Sequence, residues 1–169
     1  MTMKDYRTIV VGTDGSSLAG PTVGRAAWLA KHDDANLVIV CAYARLSRRD
    51  EAKNVTTLGG DSRIGQVLGR SAAGQALSEA MIVAAAEGAT VTAALLIDGE
   101  PAEALVSTAT EQQADLIVMG ALQDRTLVDR LLGSTSEEVV KRAGCDVLIV
   151  RPEFNEGDLE VPEDASIDL

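Results

Sequence analysis

Five short runs of branched apolar residues stand out along the chain: Thr8–Gly12, Asn36–Ala42, Thr90–Ile97, Leu116–Gly120 and Asp146–Val150. Runs of this length, bounded by polar residues or glycine, predict buried strands. Between them the apolar positions change to helical spacing. Thr22 to Ala30 places Val23, Ala26, Ala27 and Ala30 on one face, and Pro21 fits the first turn of that helix. Ser71 to Ala86 does the same with Ala72, Ala76, Leu77, Ala80, Met81 and Ala84, and Gly88 ends it. Further helices are predicted from Ala102 to about Glu111, after Gly99-Glu100-Pro101, and from Ser136 to Arg142, closed by Gly144. Ala44 to Gly69 has no clear period and reads as a polar excursion over the carboxyl ends of the strands, of the kind that forms lids and binding loops.

Strand and helix in alternation imply an α/β fold, a doubly wound parallel sheet with helices on both faces and right-handed crossovers. The composition fits: 46% of residues are hydrophobic but only 2% aromatic, so Val, Leu, Ile and Ala must fill the core. At 169 residues one domain is expected, spanning 1–152, followed by an acidic C-terminal tail, 153–169. The tail holds seven acidic residues and no Lys or Arg, so removing it brings the net charge from −11 to −4. Neither part has the clustered basic charge of a nucleic-acid or anionic-membrane binder. Cys41 and Cys145 fall in or beside apolar strands and read as small buried hydrophobes. With no targeting or spanning segment in view, a soluble cytoplasmic protein is expected.

Candidate chemistry concentrates between Leu116 and Arg151. Leu116-Ile117-Val118-Met119 stops at Gly120, and Gly133-Ser134-Thr135 opens a helix, with Ser134/Glu137 or Thr135/Glu138 at capping-box spacing. Helix starts carry unpaired N–H groups and attract anions, and glycine lets a phosphate approach the backbone. Gly120 and Gly133 can therefore flank one phosphate group. Asp14, in Gly12-Thr13-Asp14-Gly15-Ser16, reads on local chemistry as a turn residue bonding its own backbone.

Gly120, position 123 and Gly133-Ser134 have the spacing Gly-two-Gly-nine-Gly-Ser/Thr. This segment resembles the nucleotide signature of the universal stress protein family, with Gln123 where the family has glycine. Val11-Gly12-Thr13-Asp14-Gly15-Ser16 and Gly99-Glu100-Pro101 are similar to the same family, and together these features cover roughly Tyr6 to Pro152. The resemblance implies a five-stranded parallel sheet of order 3-2-1-4-5, adenine nucleotide alpha hydrolase-like, with a nucleotide at the carboxyl ends of the strands. It implies that Gly12, Thr13 and Asp14 lie beside the nucleotide and that Cys41 and Ala42 meet the adenine edge through their backbone. Met119, Gly120, Gln123, Gly133, Ser134 and Thr135 would then surround the phosphates. Asp14 would serve base or ribose, or hold Mg bound to the nucleotide. It also implies a homodimer through the edge strand Val147–Val150.

Gln123 closes backbone that the family leaves open, and Asp124 adds a negative charge beside it, a repulsion on the order of a kcal/mol for a triphosphate in a partly buried site. Gln is also a donor. AMP or cyclic AMP therefore suits the site better than ATP with Mg. The expected role is a stress-response sensor or reservoir of adenine nucleotide; the alternative is a nucleotide-free dimeric stress protein acting as an interaction module. An enzyme is not expected, slow ATP hydrolysis aside. There is no Gly-x-x-x-x-Gly-Lys-Ser/Thr, and the one histidine, His32, sits by Asp33 and Asp34 at a helix end as a charge-satisfied surface residue. The low aromatic content offers little to stack on a flavin ring.

Overall fold

Ile9, Val10 and Val11 have no solvent exposure, and the strand they form is the middle of the sheet. The computed structural model describes residues 5–49, 67–121 and 133–151. In chain order the elements are β1 (Thr8–Gly12), α1 (Ala19–Asp33), β2 (Asn36–Ala44), β3 (Val67–Leu68), α2 (Arg70–Ala86), β4 (Val91–Asp98), α3 (Pro101–Glu111), β5 (Leu116–Gly120), α4 (Ser134–Arg142) and β6 (Asp146–Val150). Gln123, residues 50–66 of the polar excursion and the acidic tail lie outside the described residues.

All strand pairs are parallel. The five long strands run β4-β2-β1-β5-β6, which is the expected order 3-2-1-4-5. β3 is an addition, two residues long, inside the stretch read as an irregular excursion. Helices cover both faces, as strands buried on both sides require. Ile9, Val11, Leu37, Ile39, Cys41 and Val118 face α1 and α2, while Val10, Val38, Val40, Ile117 and Met119 face α3 and α4. The cores differ little in kind: small Ala positions of α1 and α2 let the helices sit close on the sheet. Among the described residues, no helix is long and apolar enough to cross a membrane.

Several boundaries differ from those read off the sequence. α1 begins at Ala19, three residues before Thr22, because Pro21 is accommodated within its first turn and Ser16 already accepts from Ala19 N–H. β2 runs on to Ala44, held by β4 on one side as far as Tyr43 and by β3 on the other. α4 begins at Ser134 rather than Ser136, with Gly133 as its N-cap residue and no side-chain capping bond. Neither predicted capping box forms. Glu138 pairs instead with Arg142 at 2.8 Å, and Glu137 faces Lys141 at 4.0 Å, one turn further along the same helix.

At the amino end of the sheet, carboxylates hold the chain that leads into β1. Asp115 accepts from Arg7 N–H (3.0 and 3.1 Å) and Thr8 N–H (3.1 Å), and Asp33 accepts from Tyr6 N–H (2.9 Å). The Tyr6 hydroxyl donates to Asp146 at 3.1 Å, and partial burial followed by that bond raises the phenol's pKa. His32, exposed, lies 2.7 Å from Asp33 through Nδ1 and stacks on Trp28. The His32 bond, then the Tyr6 N–H, hold the Asp33 carboxyl below the usual carboxylate range.

Two outcomes are expected from this packing. A carboxyl group whose pKa is depressed in the fold stabilises it above its unfolded value, about 3.9, and that stability is lost as pH falls through the lower, folded value. The stability gap between the wild type and Asp33→Asn in urea unfolding should be open near neutral pH and close in strong acid; a gap independent of pH would refute the assignment. At the other end, a Cβ on Gly120 would lie 3.0 Å from Leu18 Cδ2 and 3.1 Å from Thr22 Oγ1 in the first turn of α1. Gly120→Val should therefore destabilise by about 1–3 kcal/mol in the same assay, as overpacking does, and an unchanged midpoint would show that α1 can yield.

Candidate functional site

The carboxyl ends of β1, β2 and β5 form one rim, because the register sets Val11 beside both Ile39 and Val118. This brings Gly12, Thr13, Asp14, Cys41, Ala42, Met119 and Gly120 together, as the sequence reading requires. Thr13 continues the β1 ladder by donating its N–H to Val40 O at 2.9 Å. Beyond it the ladder has a gap. On the β1 side of β2 the register runs to Gly12↔Val40 and resumes at Tyr43↔Val67. Successive residues of a strand turn their amides to opposite sides. Val40 and Ala44 give their carbonyls to Thr13 and Gly69, whereas Tyr43 gives its own to Gly99, the residue after β4. Ala42 is in phase with Val40 and Ala44, so its N–H turns toward the space between the end of β1 and the start of β3. Among the described residues, Cys41 and Ala42 have no strand partner on that side.

The side chains around this gap are subdued. Thr13 is buried and helps line a cleft of about 260 Å³ between the first turn of α1 and α2, together with Ser16, Ser17, Gly20, Ala76 and Glu79. Asp14 Oδ1 accepts from Ser16 N–H at 2.9 Å, the local turn bond anticipated for it. The Asp14 carboxylate also bears on Cys41, whose thiol is pushed up to about 12 by burial first and that charge second. Cys41 is therefore a neutral core residue and not a nucleophile. Met119 is buried in the α3/α4 core. Both cysteines are free thiols.

Gly133, Ser134 and Thr135 make a different contribution. Gly133 has φ +81°, a conformation that L side chains avoid, and it opens a nine-residue helix with no side-chain cap. Among the described residues, no side chain therefore caps the first N–H groups of α4. The path from Gly120 to Gly133 runs through residues outside the described set, and no described contact joins Gly133–Thr135 to Asp14 or Ala42. The last turn of α4 is anchored instead to α3, where Arg142 pairs with Glu103. Among the described residues, no cluster of three His, Cys, Asp or Glu side chains is placed to hold a metal ion.

Two rim features escaped the sequence reading. Arg70 donates to the Tyr43 hydroxyl at 3.1 Å and lies 6.0 Å from the centre of its ring, pinning the end of β2 to the start of α2. Arg45 is paired with Asp98 at the end of β4. Both links join positions far apart in sequence, and neither has a local pattern that would announce it.

Comparison with known proteins is consistent along nearly the whole chain. The profile of the universal stress protein family matches residues 5–151. A universal stress protein of Mycobacterium tuberculosis is 40% identical over 148 residues, covering 88% of this chain and 98% of the relative. One from Thermus aquaticus is 34% identical over 148 residues, covering 86% and 99%. Among solved structures, a universal stress protein in complex with cAMP is similar with a TM-score of 0.63 at 34% identity, over 88% of this chain and 98% of that one. The universal stress protein from Archaeoglobus fulgidus in complex with dAMP gives a TM-score of 0.58 at 26% identity, over 86% and 98%. With the sheet order, the glycine spacing and these matches in agreement, the chain belongs to the universal stress protein family.

Proposed function

We propose that this protein binds an adenine nucleotide at the carboxyl rim of its sheet and acts in the cytoplasm as a stress-response sensor or reservoir of that nucleotide. The observation that carries the proposal is the gap in the β2 ladder at Cys41–Ala42, where a main-chain amide faces the space beyond β1 with no strand to meet it among the described residues. A planar base with alternating donors and acceptors satisfies such an edge. The uncapped, glycine-opened start of α4 supplies N–H groups suited to a phosphate, with the Ser134 and Thr135 hydroxyls beside them. Cyclic AMP and dAMP in the related structures support the adenine reading.

The ligand is a monophosphate, AMP or cyclic AMP, in preference to ATP, on the charge of Asp124 and the bulk of Gln123. If ATP does enter, Mg on its phosphates would be met by Asp14, whose Oδ2 has no hydrogen bond among the described residues; one carboxylate alone fits a metal carried in by the nucleotide. The function is binding and not catalysis. Beside the gap, among the described residues, Asp14 is tied into its turn and Cys41 is protonated and buried.

Calorimetric titration with cyclic AMP, AMP and ATP is expected to show the monophosphates binding at least as tightly as ATP. Gly133→Val should weaken that binding by tenfold or more, because a side chain at φ +81° distorts the start of α4. No heat and no melting shift with any of the three at millimolar concentration would remove the nucleotide and leave a dimeric interaction module.

We further propose that the protein is a homodimer through β6. This strand is an edge of the sheet, and Val147, Leu148, Ile149 and Val150 are only half-buried. Apolar edges invite pairing with another chain. Val150 accepts from Ala121 N–H, so the alternate position, Ile149, turns its N–H outward. Ile149→Pro removes that outward donor and should convert dimer to monomer in light scattering; a wild-type monomer, or a dimer unaffected by the substitution, would exclude pairing through this strand.

A further inference from the structure

Among the described residues, the carboxyl rim gathers exposed cations in an acidic protein. Arg45, Arg48, Arg49, Arg70 and Arg151 lie on it, all exposed, against Asp14, Asp98 and Glu100. The amino end is the reverse, with Asp33, Asp34, Asp115 and Asp146 gathered around Tyr6 and Arg7. The seven acidic residues of 153–169 begin two positions after Arg151, and Arg151 follows β6 at its carboxyl end. The acidic segment therefore leaves the fold at the cationic rim, away from the carboxylates of the opposite end.

We propose that this rim is a docking surface for the chain's own segment 153–169, whose carboxylates occupy the arginines when no nucleotide is bound and give way to its phosphate. Reach is not limiting. Three strand spacings separate β6 from β2, about 14 Å, which about five extended residues cross. Tethering keeps the carboxylates at an effective concentration on the order of millimolar near the rim. At physiological salt the attraction extends only about 8 Å, so the contact is close and salt-sensitive. Its counterpart on the fold is the exposed pair Arg48–Arg49, with Arg70 held in place by Tyr43. The competition for phosphate rests on the nucleotide reading above; the docking does not.

Two variants test it: the chain ended after Pro152, and the full chain with all seven tail carboxylates changed to amides. Amide NMR spectra without ligand should show shifts confined to Thr13–Ser16, Ala44–Arg49 and Gly69–Ser71 in both variants, reproduced in the wild type by 0.5 M NaCl, an addition of roughly the size that collapses screening to a few ångströms. With cyclic AMP at low salt, both variants should bind three- to tenfold tighter than the wild type, and the advantage should fade as salt rises. Rim amides that stay in place in both variants overturn the docking whatever the affinities do. If no chain binds nucleotide, the nucleotide reading fails and the amide shifts alone decide the docking.

Discussion

A parallel strand with helices on both faces has no water to satisfy its backbone, so every amide must be met by a neighbouring strand until the ladder ends. β1 is the extreme case, and the strands around it do not stop level. At the amino end the mismatch is closed by side chains of the chain itself: Asp115 takes the Arg7 and Thr8 amides, and Asp33 takes that of Tyr6. At the carboxyl end it is closed only in part. Thr13 extends β1 by one bond and β3 covers the tip of β2, but between them the Ala42 N–H has no strand partner among the described residues. The two ends pose the same physical problem. One is answered by carboxylates of the chain itself, and the other is where a ligand is proposed.

This view separates what glycine does at two of the signature positions. Gly120 lacks a side chain because the first turn of α1, through Leu18 and Thr22, occupies the place where one would go. That is a packing requirement and holds whether or not a phosphate is near. Gly133 lacks one because its backbone is in a conformation costly for other residues. Spacing between glycines therefore compresses two unrelated constraints into one pattern. Position 123, where the pattern departs, is outside the described residues and is answerable only by binding measurements.

Most of the architecture was legible in the sequence because it follows from the burial of both sheet faces. The five long apolar runs could only be central or edge strands of a parallel sheet, and their order followed from the family resemblance. What was illegible depended on contacts between distant residues. Val67–Leu68 became a strand because the exposed tip of β2 was available to pair with, not because two residues have a period. The capping boxes proposed at Ser134 and Thr135 failed because Glu138 and Glu137 found Arg142 and Lys141 one turn on. A spacing of three residues allows a cap, and a spacing of four allows an ion pair; the sequence contained both. Asp14 was read with both a turn role and a ligand role, and the turn role is present in the fold.

The chain has a single tryptophan, and it lies on α1 with more than half its surface in solvent, stacked on His32. Ten residues of helix separate it from Leu18, about 15 Å along the axis. Intrinsic fluorescence will therefore report on the imidazole beside the indole and on the pole of the molecule opposite the rim. An optical titration that stays silent on adding a small molecule would say nothing about occupancy, because the chromophore looks the other way.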